Sequence, residues 1–205
     1  MVQGTAVQQV PHRAHWQPIE YNALHGGMER WFAPMDPATV SRPVWQQVLG
    51  ALAKLSDVVF SGVKTGIETR VGTDANTNSD SASAAWFVEA HQFRIDTTDG
   101  IGRPTPEGAH RDGVDLVAVF LVAREGVKGG ETRVFEADGP NGQRFTLAQP
   151  WSLLLLDDAR MIHESTPIQP LADAGHRDTL VVTCRRHNFQ GADTAAMDPQ
   201  APPAL

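Results

Sequence analysis

The chain has 205 residues, of which 41% are hydrophobic and 20% charged, and these proportions fit one globular domain that buries its own core. They exclude a disordered polypeptide and a collagen-like rod. Acidic residues number 24 against 17 Lys and Arg, and the net charge of −7, without any run of basic residues, argues against nucleic acid as a partner.

Cysteine usage and apolar runs bear on the compartment. Cys184 is the single cysteine, so the chain cannot form an internal disulfide. The first residues lack the basic and apolar segments of an export signal, and the most apolar stretch, 116–123, is far shorter than the ~20 residues of a membrane-spanning helix. We therefore expect a cytoplasmic protein without a membrane partner. With eight histidines beside one cysteine, a metal site would use nitrogen and oxygen ligands.

The segment before residue 86 is predicted to be mixed and partly helical. Its clearest helix starts at Ser41, an N-cap type of residue, with Pro43 in the first turn. Apolar residues then recur at helical spacing, at Val44, Val48, Leu52 and Leu55. This helix should pack its apolar face on a larger element.

A small, polar stretch without apolar periodicity follows at residues 72–84. A loop of this length is equally consistent with a functional lid and with a surface excursion that has no role.

From residue 86 the sequence changes to β-branched and aromatic runs separated by Gly, Pro and Asp clusters, a pattern typical of successive strands. The predicted strands are 86–95, 115–123, 131–135, 151–156, 161–164 and 177–185. Their spacing favours an all-β sandwich or barrel over βαβ units. We expect one domain over 1–189 with its β core at 86–189, followed by a disordered Ala- and Pro-rich tail at 190–205.

His110 and Asp112 lie two residues apart at the start of a strongly apolar strand. Side chains at i and i+2 of an extended chain share a face, so both can bind one ion, and His163 on a later strand is the candidate third ligand. Non-haem Fe(II) oxygenases bind their iron with two His and one carboxylate. The coordination positions opposite these three ligands stay open and hold a cosubstrate and O2. Each residue alone is weak evidence, because a lone His is more often a surface or core residue.

Arg177 and Thr179 share one face of the last predicted strand. A guanidinium with a neighbouring hydroxyl suits the far end of a dicarboxylate, because Arg binds carboxylate bidentately and stays charged. The alternative is an edge-strand arginine that pairs with Asp178 or Glu164 in solvent.

Between residues 89 and 183 the chain resembles the bacterial 2-oxoglutarate- and Fe(II)-dependent dioxygenases typified by L-isoleucine hydroxylase. The motifs occur in the same order and are EAHQFRI, PTPEGAHRDG, GGET, DDARMIHESTPI and RDTLVVT. The resemblance covers roughly the C-terminal half of the chain. The unmatched segment before residue 86 is where we expect substrate choice to be decided.

The resemblance implies a mainly β fold with a double-stranded β-helix core, the cupin-like jelly roll, and we expect the N-terminal helices to pack on one of its sheets. It implies hydroxylation of an aliphatic carbon of a free L-amino acid, branched-chain or cyclic like pipecolate, with succinate and CO2 as coproducts. His110, Asp112 and His163 would hold Fe(II), and Arg177 with Thr179 would bind the C5 carboxylate of 2-oxoglutarate. Related halogenating enzymes have a small residue in place of Asp112, so its carboxylate favours hydroxylation.

Strand alternation in the segment 85–95 gives two possible pocket-facing sets. One set contains Gln92 and Arg94, which we predict to contact 2-oxoglutarate or the substrate carboxylate. The other contains Glu89 and His91. A salt-bridged sheet surface is the third reading of this strand.

Other features have ordinary interpretations. Asp157 and Asp158 are expected to be turn residues, and Cys184 a packed thiol. The alternatives to an amino acid hydroxylase are the same chemistry on a carrier- or peptide-bound amino acid, a non-oxidative cupin-like metal-binding protein or isomerase, and a plain structural β-sandwich.

Overall fold

The computed structural model describes residues 1–4, 6–61 and 85–191. The predicted loop at 72–84 and all but the first two residues of the predicted tail lie outside these ranges. Among the described residues, no helix is long and apolar enough to cross a membrane.

Two helices precede the main strands, α1 at Pro37–Val40 and α2 at Pro43–Ser61. The prediction that Ser41 caps the long helix is wrong, because Ser41 is the C-cap of α1, where its backbone N–H donates to the carbonyl of Pro37. The predicted apolar stripe is also shifted. Val44 is exposed, since it lies about 80° around the helix axis from Leu52, at the rim of the buried face.

The described chain contains eleven strands, with all six predicted ones present. Their bounds are β1 Val2–Gln3, β2 Ala6–Val7, β3 Ala85–Asp96, β4 Leu116–Glu125, β5 Val127–Gly129, β6 Thr132–Glu136, β7 Gly142–Phe145, β8 Leu153–Asp157, β9 Met161–Ser165, β10 Ile168–Pro170 and β11 His176–Arg185. They form a six-stranded sheet in the order β2-β1-β3-β11-β4-β8, a three-stranded sheet β7-β6-β9 and a pair β10-β5. The pairing is antiparallel in each sheet, as expected for a jelly roll, and the predicted fold class is confirmed.

Helix α2 covers one face of the six-stranded sheet, where Leu49, Leu52 and Ala53 pack among buried residues of β3, β4 and β11. Cys184 lies in this layer, and burial raises the pKa of its thiol to about 11, as expected for a packed and unreactive cysteine. The other face of the sheet, which α2 leaves open, forms the inner wall of the β core.

The pairing of β3 with β11 decides which side chains reach this inner wall. Trp86 on β3 and Val182 on β11 lie in the helix-covered layer. Side chains alternate along each strand, so the odd-numbered residues of both strands point to the opposite, inner face. Arg177 is paired with Ile95 and Thr179 with Phe93, so all four share that face.

Candidate active site

The three predicted metal ligands come together where the segment before β4 pairs with β9. Backbone hydrogen bonds in both directions, 3.0 and 2.9 Å long, join His110 to His163 on β9. The Nε2 atom of His110 lies 3.6 Å from Oδ1 of Asp112, and Nε2 of His163 lies 3.9 Å from Oδ2. Since the three candidate ligand atoms lie within 4.8 Å of one another, one ion can contact all of them.

The His110 imidazole is oriented as a metal ligand. Its Nδ1 lies 2.9 Å from the carbonyl oxygen of Gly108, which requires a proton on Nδ1 and turns Nε2 toward Asp112. Burial lowers the pKa of His110, but the hydrogen bond and charge of Asp112 outweigh burial and raise it to about 9. A divalent cation at this place would therefore replace the Nε2 proton and satisfy the same carboxylate.

His163 is already in the form that binds a metal. Burial, helped by the charge of His110, lowers its pKa to about 4, although Asp112 opposes this shift. Its imidazole is neutral near pH 7, whereas the two nearby imidazoles hold the pKa of the Asp112 carboxyl well below its usual range despite burial. One carboxylate beside two imidazoles is a donor set that fits Fe(II).

The segment that carries Asp112 is held by a buried carboxylate that sequence reasoning missed. Asp158 accepts hydrogen bonds from the backbone N–H groups of residues 112, 113 and 114, at 3.0, 2.7 and 3.1 Å. It is only 1% exposed. Asp158 lies in the turn between β8 and β9, as predicted, and its side chain also fixes the backbone that carries Asp112. Asp157, in contrast, is the last residue of β8 and not a turn residue.

Replacing Asp158 with Ala is expected to lower the free energy of unfolding by about 3 kcal/mol or more, because three buried N–H donors lose their acceptor. Metal affinity should fall by about 10–100-fold, as is usual when a residue that holds a metal ligand in place by hydrogen bonds is removed. Denaturant unfolding and metal titration measure the two effects. Asp157→Ala is the matched control, since Oδ1 of Asp157 has no hydrogen-bond partner among the described residues, and equal effects of both variants would contradict this role for Asp158.

The N-terminal segment supplies a second set of contacts to the same carboxylate. Nε2 of Gln17 donates to Oδ1 of Asp112 at 2.8 Å, and Gln17 accepts in turn from Arg30 and from Asn22, both at 3.0 Å. Gln17 and Asn22 are buried. No local pattern in the sequence signals the contact between Gln17 and Asp112, because these residues lie 95 positions apart.

Arg177 and Thr179 are buried in the inner wall, 4% and 5% exposed. The alternative of an edge-strand ion pair is wrong: β11 lies between β3 and β4, while Asp178 is paired with Arg94 and Glu164 with Arg133. Nε of Arg177 has no hydrogen-bond partner among the described residues. A buried guanidinium without a counter-ion is costly, so this position favours an anion.

A second arginine faces the same place. The pairing of β4 with β11 shifts by one residue between Asp178 and Thr179, and beyond this bulge Arg124 lies opposite Arg177. Burial and then the charge of Arg124 lower the pKa of Arg177 to about 10. Gly130, at φ +66°, leaves room for Arg124, since a Cβ there would lie 2.9 Å from Nη1. Two like charges at this end of the wall strengthen the preference for an anion.

The prediction for Gln92 and Arg94 needs correction. Both alternate with the inner residues of β3 and lie on the opposite face, paired with Leu180 and Asp178. Arg94 is largely exposed and makes a bidentate pair with Asp178, at 2.8 and 2.6 Å. The alternation was predicted correctly, but the inner face is the one that contains Glu89 and His91.

Arg94→Ala is accordingly expected to leave the KM values for 2-oxoglutarate and for the substrate within about twofold of wild type, because exposed ion pairs are screened by solvent. Steady-state kinetics with each substrate varied in turn are the measurement. A large rise in either KM would show that Arg94 contributes to binding that ligand.

Comparison with known proteins identifies the family to which this site belongs. Residues 1–183 match the family model described as 2OG-Fe dioxygenase. The chain belongs to this family. It is therefore a 2-oxoglutarate-dependent dioxygenase whose cofactor and cosubstrates are Fe(II), 2-oxoglutarate and O2. Membership of this family argues against two of the alternatives, a non-oxidative cupin-like isomerase and a purely structural β-sandwich.

Solved structures support the fold. A bsmA homologue from Methylobium petroleophilum PM1 is 52% identical, with a TM-score of 0.75 over 91% of this chain and 68% of that one. IDO from Bacillus thuringiensis and the Fe(II)/α-ketoglutarate-dependent dioxygenase TqaL are each 20% identical, with TM-scores of 0.55 and 0.52. The two matches cover 77% and 79% of this chain and 64% of each of the other two chains. No protein with a curated description matches the chain.

Proposed function

We propose that this 2OG-Fe dioxygenase is a cytoplasmic enzyme of the L-isoleucine hydroxylase type, with residues 1–189 forming one domain. It hydroxylates an aliphatic carbon of a free L-amino acid, branched-chain or cyclic like pipecolate, and forms succinate and CO2 from 2-oxoglutarate. The observation that carries this proposal is the occurrence, in one β core, of a His-Asp-His group and a buried arginine whose Nε has no hydrogen-bond partner in the described part of the chain.

In this proposal His110, Asp112 and His163 hold Fe(II). The iron, when bound, supplies the activation of O2 and the oxidation of the C–H bond. The Gly108 carbonyl keeps Nε2 of His110 directed inward, and Gln17 and Asp158 hold Asp112 in place. Asp112 would fill with a carboxylate the position that a small residue leaves free for a halide in related halogenating enzymes, which favours hydroxylation.

Arg177 and Thr179 bind the C5 carboxylate of 2-oxoglutarate in this proposal. The guanidinium presents an unpartnered Nε, and burial at this site strengthens its attraction for an anion. Arg124 adds a second positive charge on the same face. The distant anchor orients 2-oxoglutarate with its reactive end toward the His-Asp-His group.

The test is a screen of the common amino acids and pipecolate, with Fe(II), ascorbate and 2-oxoglutarate, for succinate coupled to a product about 16 Da heavier, the mass of one oxygen atom. We expect at least one free aliphatic amino acid to stimulate succinate formation and to give this product in matching amount. If only carrier- or peptide-bound amino acids do so, the free substrate is wrong and the same chemistry acts on a bound one.

A further inference from the structure

A second convergent group of side chains lies on the inner wall, formed by His15 of the N-terminal segment with Glu89 and His91 of β3 (the inner trio). Nδ1 of His15 lies 3.1 Å, and Nε2 of His91 3.6 Å, from the same carboxylate oxygen of Glu89. All three side chains are largely buried, 16–19% exposed. The candidate contact atoms lie within 4.8 Å of one another, so a small cation can reach all three.

The inner trio carries negative charge. Burial raises the pKa of Glu89, but the neighbouring imidazoles of His15 and His91 outweigh burial and lower it to about 2, so the carboxylate is ionised. Nε2 of His91 is buried without a hydrogen-bond partner in the described part of the chain. Each imidazole can present an unprotonated nitrogen by carrying its proton on the other ring atom. The trio therefore offers three acceptors, one of them charged.

The surroundings of the trio suit a cationic group of small size beside the metal ligands. His15 and Glu89 line a cleft of about 10 Å³ together with Asp112, Arg185 and uncharged side chains, so the trio adjoins the metal-ligand group, while His91 lies outside this lining. The rings of Phe32 and Phe93 pack on His91, with centroid distances of 5.4 and 5.8 Å. Aromatic rings stabilise a neighbouring ammonium group.

A positive group lies close to the same place. Nη2 of Arg30 donates to Gln17, which contacts Asp112, and the guanidinium lies 5.7 Å from the ring centroid of Phe32. Nε of Arg30 is buried and has no hydrogen-bond partner among the described residues. The inner wall next to Asp112 thus presents an anionic and a cationic group, as a zwitterion requires.

We propose that the inner trio binds the primary ammonium group of the substrate and that Arg30 binds its carboxylate. This inference rests on the proposed function and sharpens it. A primary ammonium has three N–H donors for the three acceptors of the trio, whereas the ring nitrogen of pipecolate, as a secondary ammonium, has two. Of the two substrate types above, the trio selects the branched-chain amino acid.

The first test uses the wild-type chain, loaded anaerobically with Fe(II) and 2-oxoglutarate and titrated with L-isoleucine, L-leucine and L-valine, each paired with its N-methyl derivative, and with L-pipecolate. N-methylation removes one donor from the ammonium group. We expect the derivative of the tightest binder, and pipecolate, to bind about tenfold more weakly or worse, the value of one charged hydrogen bond. Equal affinity for parent and derivative would overturn the inference.

The second test uses Glu89→Gln, with the exposed Glu136→Gln as matched control. Loss of the buried charge should weaken amino acid binding by about thirtyfold or more while 2-oxoglutarate affinity is unchanged. The ratio between parent and N-methyl ligand should also shrink, which a merely structural role of Glu89 would not produce. The control should match wild type.

Further outcomes separate this inference from the proposed function. Unchanged amino acid binding by Glu89→Gln, or a second equivalent of Fe(II) that His15→Ala removes, would overturn the ammonium site and leave the hydroxylase standing. If no free amino acid binds or stimulates succinate formation, the proposed substrate fails and the ammonium site fails with it.

Discussion

Asp112→Ala is expected to abolish Fe(II)-dependent turnover of 2-oxoglutarate. The variant removes the one carboxylate of the His-Asp-His group and leaves two imidazoles. Loss of a direct ligand should cost at least as much as loss of a second-sphere partner, so Fe(II) affinity should fall by about a hundredfold or more. Anaerobic Fe(II) titration and succinate formation measure the two effects.

Asp99→Ala is the control for this variant, because Asp99 lies in an exposed turn outside the site. It should bind Fe(II) and turn over like wild type. The Asp112 variant should remain folded without metal, because its backbone is held by Asp158 and not by its own side chain. Wild-type turnover by Asp112→Ala would show that the metal ligands are wrongly assigned.

Arg177→Met is expected to change cosubstrate affinity and stability in opposite directions. Removing the buried guanidinium should weaken 2-oxoglutarate binding by about a hundredfold, as for loss of one partner of a buried charge pair. The protein without cosubstrate should become more stable, by about 1 kcal/mol or more, because a buried charge beside Arg124, with no ion-pair partner among the described residues, is removed and Met keeps most of the volume. Ligand titration and denaturant unfolding measure the two quantities.

Arg144→Met provides the matched control, since Arg144 is exposed on β7. It should change neither cosubstrate affinity nor stability. The anion site would be contradicted if Arg177→Met kept wild-type affinity for 2-oxoglutarate. A large loss of stability in the same variant would show that Arg177 is paired in solution.

The sequence predicted the longer strands and the shared face of His110 and Asp112 well because both depend on local rules. A period of two identifies a strand of five or more residues, and His110 and Asp112 share a face for the same reason. Strands β1, β2, β5, β7 and β10 have two to four residues, too few for a period to be recognised. These strands form because neighbouring strands supply the hydrogen bonds.

The choice between the two faces of β3 could not be made from the strand itself. Alternation separates Glu89 and His91 from Gln92 and Arg94, but the inner face is decided by α2, which covers the other one. The inward direction of Arg124 likewise depends on a bulge, and the contacts of Asp158 and Gln17 join distant segments. These features follow from tertiary packing, for which one sequence contains no periodic signal.

The most direct test of the account as a whole is turnover under 18O2 with Fe(II), 2-oxoglutarate and the amino acid that the screen identifies. We predict one labelled oxygen atom in succinate and one in the hydroxylated amino acid, in equal amounts, with no product from Asp112→Ala. Succinate without label, or a product whose new oxygen comes only from water, would contradict the proposed reaction.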